Sequence, residues 1–252
     1  MYRLVISLLL LIITVAACEP LPSQPHQPPA PSPLLRIGLS DGAGAMADLL
    51  TAYDAVPIQF VLANEETLFT DLASGQLDAV LAYAAPSDEM WLSPVAVDGL
   101  VVIVHPDSPI DALSRGEVAG LFAGDGADVT LYSRERGAGA QMLFEQRVMA
   151  ERRLDVNAVV LASDGGMITA VSQDKNGIGY SMMSGLSPAV KAVAIDNITP
   201  SPATVAAQTY PLTAPLYAIA PAEPTGALRD FVAWLQSDAG QAVIGGVFGT
   251  VR

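Results

Sequence analysis

Residues 34–85 read LLRIGLSDGAGAMADLLTAYDAVPIQFVLANEETLFTDLASGQLDAVLAYAA, and the alternation within this stretch decides the fold. A short strand over about Leu35–Leu39 runs into a turn at Ser40–Gly44. The following segment carries Met46, Leu49, Leu50 and Tyr53 at i, i+3, i+4 and i+7, the spacing of one buried helical face. PIQFVLA (57–63) predicts a second strand. NEETLFTDLASG (64–75) predicts a helix with Asn64 as N-cap, Glu65 and Glu66 in the first turn, Leu68, Phe69 and Leu72 buried, and Gly75 as the stop. LDAVLAYAA (77–85) is too uniformly apolar to have a wet face. Strand, helix, strand, helix, strand at this pitch implies a parallel sheet covered on both sides.

The same grammar continues downstream. DGLVVIVHPDSPI (98–110) is a second continuous apolar strand ending in a proline turn, with His105 read as a structural or capping residue. DVTLYSRERGAGAQMLFEQRVMAERR (128–153) is strand, loop and helix, with Ala140, Leu143, Phe144 and Val148 on one face. NAVVLAS (157–163) is a strand, and DGGMITAVSQDKNGIGYSMM (164–183) a capped helix followed by a strand. YPLTAPLYAIA (210–220) is extended, and a closing helix places Leu228, Phe231, Val232 and Leu235 on one side.

Upstream, residues 1–17 hold Arg3 followed by a 14-residue run, Leu4–Ala17, interrupted only by Ser7 and Thr14. A spanning helix needs roughly 20 apolar residues, so the run predicts a secretory signal. VAAC then resembles a bacterial lipobox, with Cys18, the single cysteine, as the lipidated first residue of the mature chain. The plainer reading is an ordinary signal peptide with Cys18 incidental. Residues 18–33 follow as a tether containing seven prolines. In polyproline II geometry, at about 3 Å per residue, it reaches about 40 Å. One cysteine excludes a disulfide within the chain.

With 252 residues, 51% of them hydrophobic, the chain has ample material for one large domain or two lobes. A formal net charge of -14 argues against nucleic acid as a partner. It does not exclude a recessed site for a small anion, because local donors decide that.

The loop Arg134–Ala140, RERGAGA, is the candidate for such a site. It follows a strand and opens a helix, and open α/β sheets bind ligands beyond the carboxyl ends of their strands. A helix N-terminus offers unpaired N–H groups and a partial positive charge. Gly137 and Gly139 allow the backbone to turn those groups inward, and Arg134 or Arg136 adds a planar donor fork. The plainer alternative is a glycine-rich turn with its arginines in solvent. Neither a nucleotide-phosphate loop nor a dinucleotide fingerprint is present. No nucleophile–base pair or metal-ligand spacing occurs, so neither an enzyme nor a cofactor is expected. Asp41, Asp88 and Asp164 are read as solvated turn or cap residues rather than acid–base groups. Trp91, Trp234, Met182 and Met183 are read as packing.

These residues carry a resemblance. SRERGAGAQMLFEQ (133–146) resembles the Arg-x-x-Gly-Ser-Gly-Thr loop of the phosphate-binding proteins that serve bacterial phosphate ABC transporters. NGIGYSMMSGL, YPLTAPLYAIA and FVAWLQSDAGQAVIGGVFGTV are similar, in order and spacing, to later segments of that family, so the likeness covers roughly residues 36–252. It implies an α/β, two-lobed type II periplasmic-binding-protein fold, each lobe a mostly parallel sheet flanked by helices. Residues 34–104 with 203–252 would form one lobe and residues 105–202 the other. It implies a lipid-anchored, extracytoplasmic, monomeric solute-binding protein that passes an oxyanion, most simply phosphate, to an ABC permease. The ligand would be held by Ser40, Asp41, Arg134, Gly137, Ala138, Gly139 and Ala140. Ala138 and Ala140 stand where the family has Ser and Thr, and Asp41 departs from its pattern. Asp41 would either accept the proton of a monohydrogen oxyanion or repel the anion. The missing hydroxyls also leave open a degenerate binding fold used as an envelope sensor or protein-interaction module.

Overall fold

The computed structural model describes residues 33–86, 89–126 and 128–251. The signal sequence, Cys18 and all of the tether except Pro33 lie outside the described residues, as do Ser87 and Asp88. Eleven strands are described: β1 (Leu35–Ser40), β2 (Ile58–Ala63), β3 (Ala79–Ala82), β4 (Trp91–Val104), β5 (Ala112–Leu113), β6 (Thr130–Arg134), β7 (Val159–Leu161), β8 (Gly177–Met182), β9 (Lys191–Ala192), β10 (Ala194–Ile195) and β11 (Thr213–Ala220). The helices are α1 (Met46–Leu49), α2 (Glu65–Ala73), α3 (Arg115–Gly120), α4 (Gly139–Phe144), α5 (Asp164–Gln173), α6 (Pro202–Ala206), α7 (Gly226–Leu235) and α8 (Asp238–Ile244).

The main sheet runs β2-β1-β3-β11-β4-β8-β6-β7, with β9 added beside β4. β1 pairs parallel with β2 and β3, and β6 pairs parallel with β7 and β8. Between these two parallel groups lie the antiparallel β11 and β4. β4 belongs to both halves of the sheet. Its first part, Trp91–Gly99, pairs with β11, and Leu100–Val104 pairs with β8. The expected strand at 98–110 is therefore the second part of a longer one, begun where WLSP (91–94) alternates between half-covered and exposed positions. From Val95 to Val104 every residue is buried, as a strand covered on both faces requires.

Local chemistry explains the helix boundaries. Asn64 accepts from the Thr67 amide at 3.0 Å, opening α2 as its sequence predicts. Ser163 caps α5 through the Gly166 amide, and Gly75 ends α2 with φ +75°. The segment after β1 is shorter than its periodicity suggests: only Met46–Leu49 is α-helical, and Leu50–Ala52 tightens into a 3-10 turn. Met46 and Leu50 are nevertheless buried, and the Tyr53 ring meets Phe231 and Trp234 of α7 at 5.3 and 5.2 Å. The four apolar residues expected on one face of the helix after the arginine loop are all buried. Arg134 itself is the last residue of β6, not the first of the loop.

Gly240 shows how closely the last two helices pack. A Cβ there would overlap the Trp234 carbonyl oxygen and lie 3.0 Å from Leu235 Cα, and backbone cannot yield as a side chain can. Gly240→Ala is expected to lower the urea-unfolding free energy by roughly 3 kcal/mol. Gly165→Ala is the control: nothing lies within 4 Å of its Cβ position, in the first turn of α5. It should leave stability unchanged or raise it by a few tenths of a kcal/mol.

Candidate functional site

The carboxyl ends of β1, β3 and β6 meet the first turns of α2, α4 and α5, where a ligand site of an open α/β sheet is expected. Arg134 enters it from the end of β6, is 3% exposed, and is held from behind by Tyr180 of β8. The Tyr180 hydroxyl accepts from the Arg134 amide at 3.1 Å and bonds Ser133 Oγ at 2.8 Å. Its ring stacks on Phe144 of α4, centroids 4.0 Å apart and planes within 3°, so strand and helix are set in one packing unit.

The guanidinium is surrounded by acceptors of the chain itself. Nε donates to the Leu161 carbonyl at 3.2 Å, and Nη1 donates to Asp164 Oδ1. Nη2 donates to Asp41 Oδ2 at 2.8 Å and to the Ala162 carbonyl at 3.4 Å. Asp41 Oδ2 also accepts from the Asp164 backbone N–H at 2.9 Å, in the first turn of α5. One carboxylate oxygen thus occupies the meeting point of a buried arginine and a helix N-terminus, an environment that favours any oxyanion.

Asp164, expected to be a solvated cap, is instead 7% exposed and bound to Arg134. It cannot be solvated because Gly42 packs over it: a Cβ on Gly42 would lie 3.3 Å from Asp164 Oδ2 and 2.6 Å from Met182. Asp41 is not free in a turn either; its side chain is 20% exposed and turned onto Arg134.

The glycine loop is filled as well. Gly137 has φ +86°, a conformation that only glycine adopts easily. Its carbonyl accepts from the Glu65 amide at 3.1 Å, while Asn64 Nδ2 donates to Glu135 at 3.2 Å, so the loop is joined to the start of α2. Ala138 and Ala140 are each 1% exposed, and Gly139 is buried. The space a Cβ on Gly139 would need is taken by Glu65 Oε1, with the Tyr83 ring 3.0 Å away. Arg136 is exposed, so the two arginines divide between the two expectations for this loop. Ser40 is fully buried at the end of β1, and its Oγ makes no hydrogen bond of normal geometry, although it lies near enough to Glu65 to ease that carboxyl's ionisation.

Three buried carboxyls set the electrostatics. Burial raises Glu65 to about 7, against the Tyr83 N–H bond at 3.1 Å that favours its charge. Burial raises Asp98 to about 6, although Ser184, Gly99 and Tyr83 all donate to it. Burial also raises Asp164 to about 6; Arg134 opposes this, but Asp41 and Asp98 add negative charge beside it. Arg134 alone among these groups is cationic, and Asp41 and Asp164 share it. The Tyr83 hydroxyl lies 2.9 Å from Asp98 and 3.0 Å from the Gly42 carbonyl. Ser184 reaches the same two acceptors at 2.6 and 3.2 Å.

Of the seven residues expected to hold the ligand, Ser40, Asp41, Arg134 and the 137–140 segment do lie around this junction. Glu65, Tyr83, Asp98 and Ser184 were not foreseen. Two carried a signal: Glu65 precedes Leu68 and Leu72 by three and seven positions, on their buried face. Asp98 is a lone charge inside a continuous apolar run. Among the described residues, no cluster of His, Cys, Asp and Glu suited to a metal ion occurs.

The fold matches a known class. Residues 40–239 match a family model described as a PBP superfamily domain, and the chain belongs to that superfamily. It is 28% identical over 183 residues to the phosphate-binding protein PstS of Pseudomonas aeruginosa, covering 60% of this chain and 57% of that protein. It is 29% identical over 124 residues to phosphate-binding protein PstS 2 of Streptococcus pneumoniae, covering 46% and 43%. The chain thus spans about half the length of these curated relatives. A solved structure of a putative phosphate ABC transporter substrate-binding protein with bound phosphate, from Clostridium perfringens, superposes with TM-score 0.80 at 21% identity. That match covers 87% of this chain and 100% of the other, and shows the α/β fold of periplasmic-binding proteins. These proteins are binding proteins by name, not enzymes.

Proposed function

We propose that the chain is an extracytoplasmic solute-binding protein, anchored through a lipidated Cys18, that presents an oxyanion, phosphate first, to an ABC permease. The observation that carries the reading is the Asp41 oxygen held jointly by Arg134 at 2.8 Å and by the first turn of α5 at 2.9 Å. A ligand oxygen in that position meets the same two donors. Asp41, partly exposed, stands in for the ligand, and phosphate takes the place as Asp41 withdraws. Below about pH 6, where Asp164 is protonated, its Oδ2 adds a hydrogen-bond donor to the anion, which partly makes up for the hydroxyls missing at Ala138 and Ala140. Closure brings residues 34–104 with 203–252 onto residues 105–202 about β4, the strand common to both halves of the sheet. The names of the relatives and the signal-like residues 1–17 support the location and the ligand class.

Because the internal carboxylate must leave first, apparent affinity is reduced by the small fraction of molecules in which it has left. Asp41→Ala is therefore expected to tighten phosphate binding about tenfold or more in isothermal titration, and Arg134→Ala to abolish it. Silence with phosphate, sulfate and molybdate in both the natural protein and Asp41→Ala would defeat this assignment. A second reading rests on the same contacts taken as permanent: with Arg134 fully occupied by its own chain, the fold serves as an envelope sensor or protein-interaction module. Silence in the titration favours it.

A further inference from the structure

Asp41 fills the anion's place only while the turn that carries it stays put, and that turn is held from its other side. The carbonyl of Gly42, the next residue, accepts from two hydroxyls, Tyr83 at 3.0 Å and Ser184 at 3.2 Å. The same two hydroxyls donate to Asp98 Oδ2, at 2.9 and 2.6 Å. Asp98 Oδ1 is satisfied separately, by the Gly99 amide at 2.7 Å and the Ser184 amide at 3.2 Å. Asp98, Tyr83 and Gly42 are all buried.

Each hydroxyl carries one proton, so two protons serve four contacts. With both hydroxyls present, one bonds the carboxylate and the other the carbonyl. With only one, its proton goes to the carboxylate, because hydrogen bonds to a charged group are the stronger kind. The Gly42 carbonyl is then buried and unpaired, which is costly, and the turn is released. We propose that Ser184 and Tyr83, anchored on Asp98, are positioning residues that hold the Asp41–Gly42 turn and so keep Asp41 on Arg134. The assignment rests on the reading of Asp41 as the stand-in for the ligand. Ser184 comes from the turn after β8, in the half assigned above to residues 105–202, so this catch joins the two halves that must part.

A third proton removes the shortage. When Asp98 is protonated, Oδ2 becomes a donor, and a single hydroxyl accepts from it while donating to Gly42. Burial raises Asp98 to about 6. The titratable groups facing it are Tyr83 and Asp164 of α5, and the adjoining strands β8 and β11 carry no charged residue. The need for both hydroxyls therefore holds above about pH 6 and fades below it.

Hydrogen exchange of the Asp164 amide, which donates to Asp41 Oδ2, reads the catch without any anion. The Gly166 amide in the same turn of α5, bonded to Ser163 Oγ, is the internal reference. At pH 8, Ser184→Ala is expected to speed Asp164 exchange about tenfold over the natural protein and to leave Gly166 unchanged. At pH 5 that ratio should fall towards one. Ser184→Thr, which keeps the hydroxyl, should behave as the natural protein. Tyr83→Phe, which keeps the ring, should reproduce Ser184→Ala and replaces it should that variant not fold. Unchanged Asp164 exchange, equal acceleration of Asp164 and Gly166, or the same ratio at both pH values overturns the proposal. In phosphate titration, Ser184→Ala should tighten binding about as much as it speeds exchange, yet change nothing when added to Asp41→Ala. Tightening that persists in the Asp41→Ala background also overturns it. Silence with phosphate throughout defeats the oxyanion reading, and the exchange ratios still decide the catch.

Discussion

Arg134→Ala is expected to destabilise the protein by about 3–5 kcal/mol, the range for removing one partner of a buried ion pair. The guanidinium is almost completely buried and satisfies Asp41, Asp164 and two backbone carbonyls at once. Its removal leaves two carboxylates facing each other with no cation between them and exposes no compensating surface. Arg134→Lys keeps the charge but cannot fork to both carboxylates, so it should recover only part of the loss. The diagnostic measurement is a triple variant. Adding Asp41→Asn and Asp164→Asn to Arg134→Ala removes the stranded charges and should restore a large share of the stability in urea unfolding. If the triple variant is no more stable than Arg134→Ala, charge pairing is not what holds this junction, and loss of packing is.

The second large effect is on the pH dependence of stability. Glu65, Asp98 and Asp164 have raised values of about 7, 6 and 6, because burial disfavours their charged forms. In the unfolded chain the same groups have ordinary values near 4. Between those limits the folded protein holds more protons than the unfolded one, so stability falls as pH rises. It is fullest near the acid end of the window and is lost as pH passes through about 6 to 7. The surface carboxyls act oppositely and elsewhere. Asp78, held down by Arg36 despite partial burial, and Glu117, held down by the Ser114 N–H, matter only below about pH 4. The unfolding midpoint is therefore expected to be higher near pH 5 than near pH 8, by roughly 5 °C or more. Glu65→Gln should flatten the upper part of the curve, from about pH 6 to 8. A midpoint that rises with pH over that range would show that these carboxyls are charged and stabilised in the fold.

Much of the scaffold was legible because its causes are local. Apolar spacing at 3.6 residues marked α2 and α7, continuous apolar runs marked β3 and the inner part of β4, and Asn64 and Gly75 marked the ends of one helix. The errors were local too. The segment after β1 keeps its buried residues but tightens at Leu50, and β4 begins before its apolar run because its first part lies beside only one covered face. Placing Arg134 in a loop missed that it ends a strand: β6 pairs Arg134 with Leu161 of β7, while its amide donates to the Tyr180 hydroxyl.

The charged junction was only half legible. Arg134, Gly137 and Gly139 announced a place fit for an anion, since a strand end, a helix start and glycines occur together in a short stretch. Their partners come from far away: Asp41 is 93 residues from Arg134, and Asp164 is 30. Hydrophobic periodicity says which face of an element is buried. It carries no information about which carboxylate arrives at a given guanidinium, because that depends on how two parallel groups of strands are set beside β4. The order of elements and the capacity for an anion nest were thus fixed by short-range sequence chemistry. That the nest is filled by the chain's own Asp41 and closed over by Glu65 was decided by tertiary packing, where burial makes unpaired charge so costly that the nearest opposite charge is drawn in.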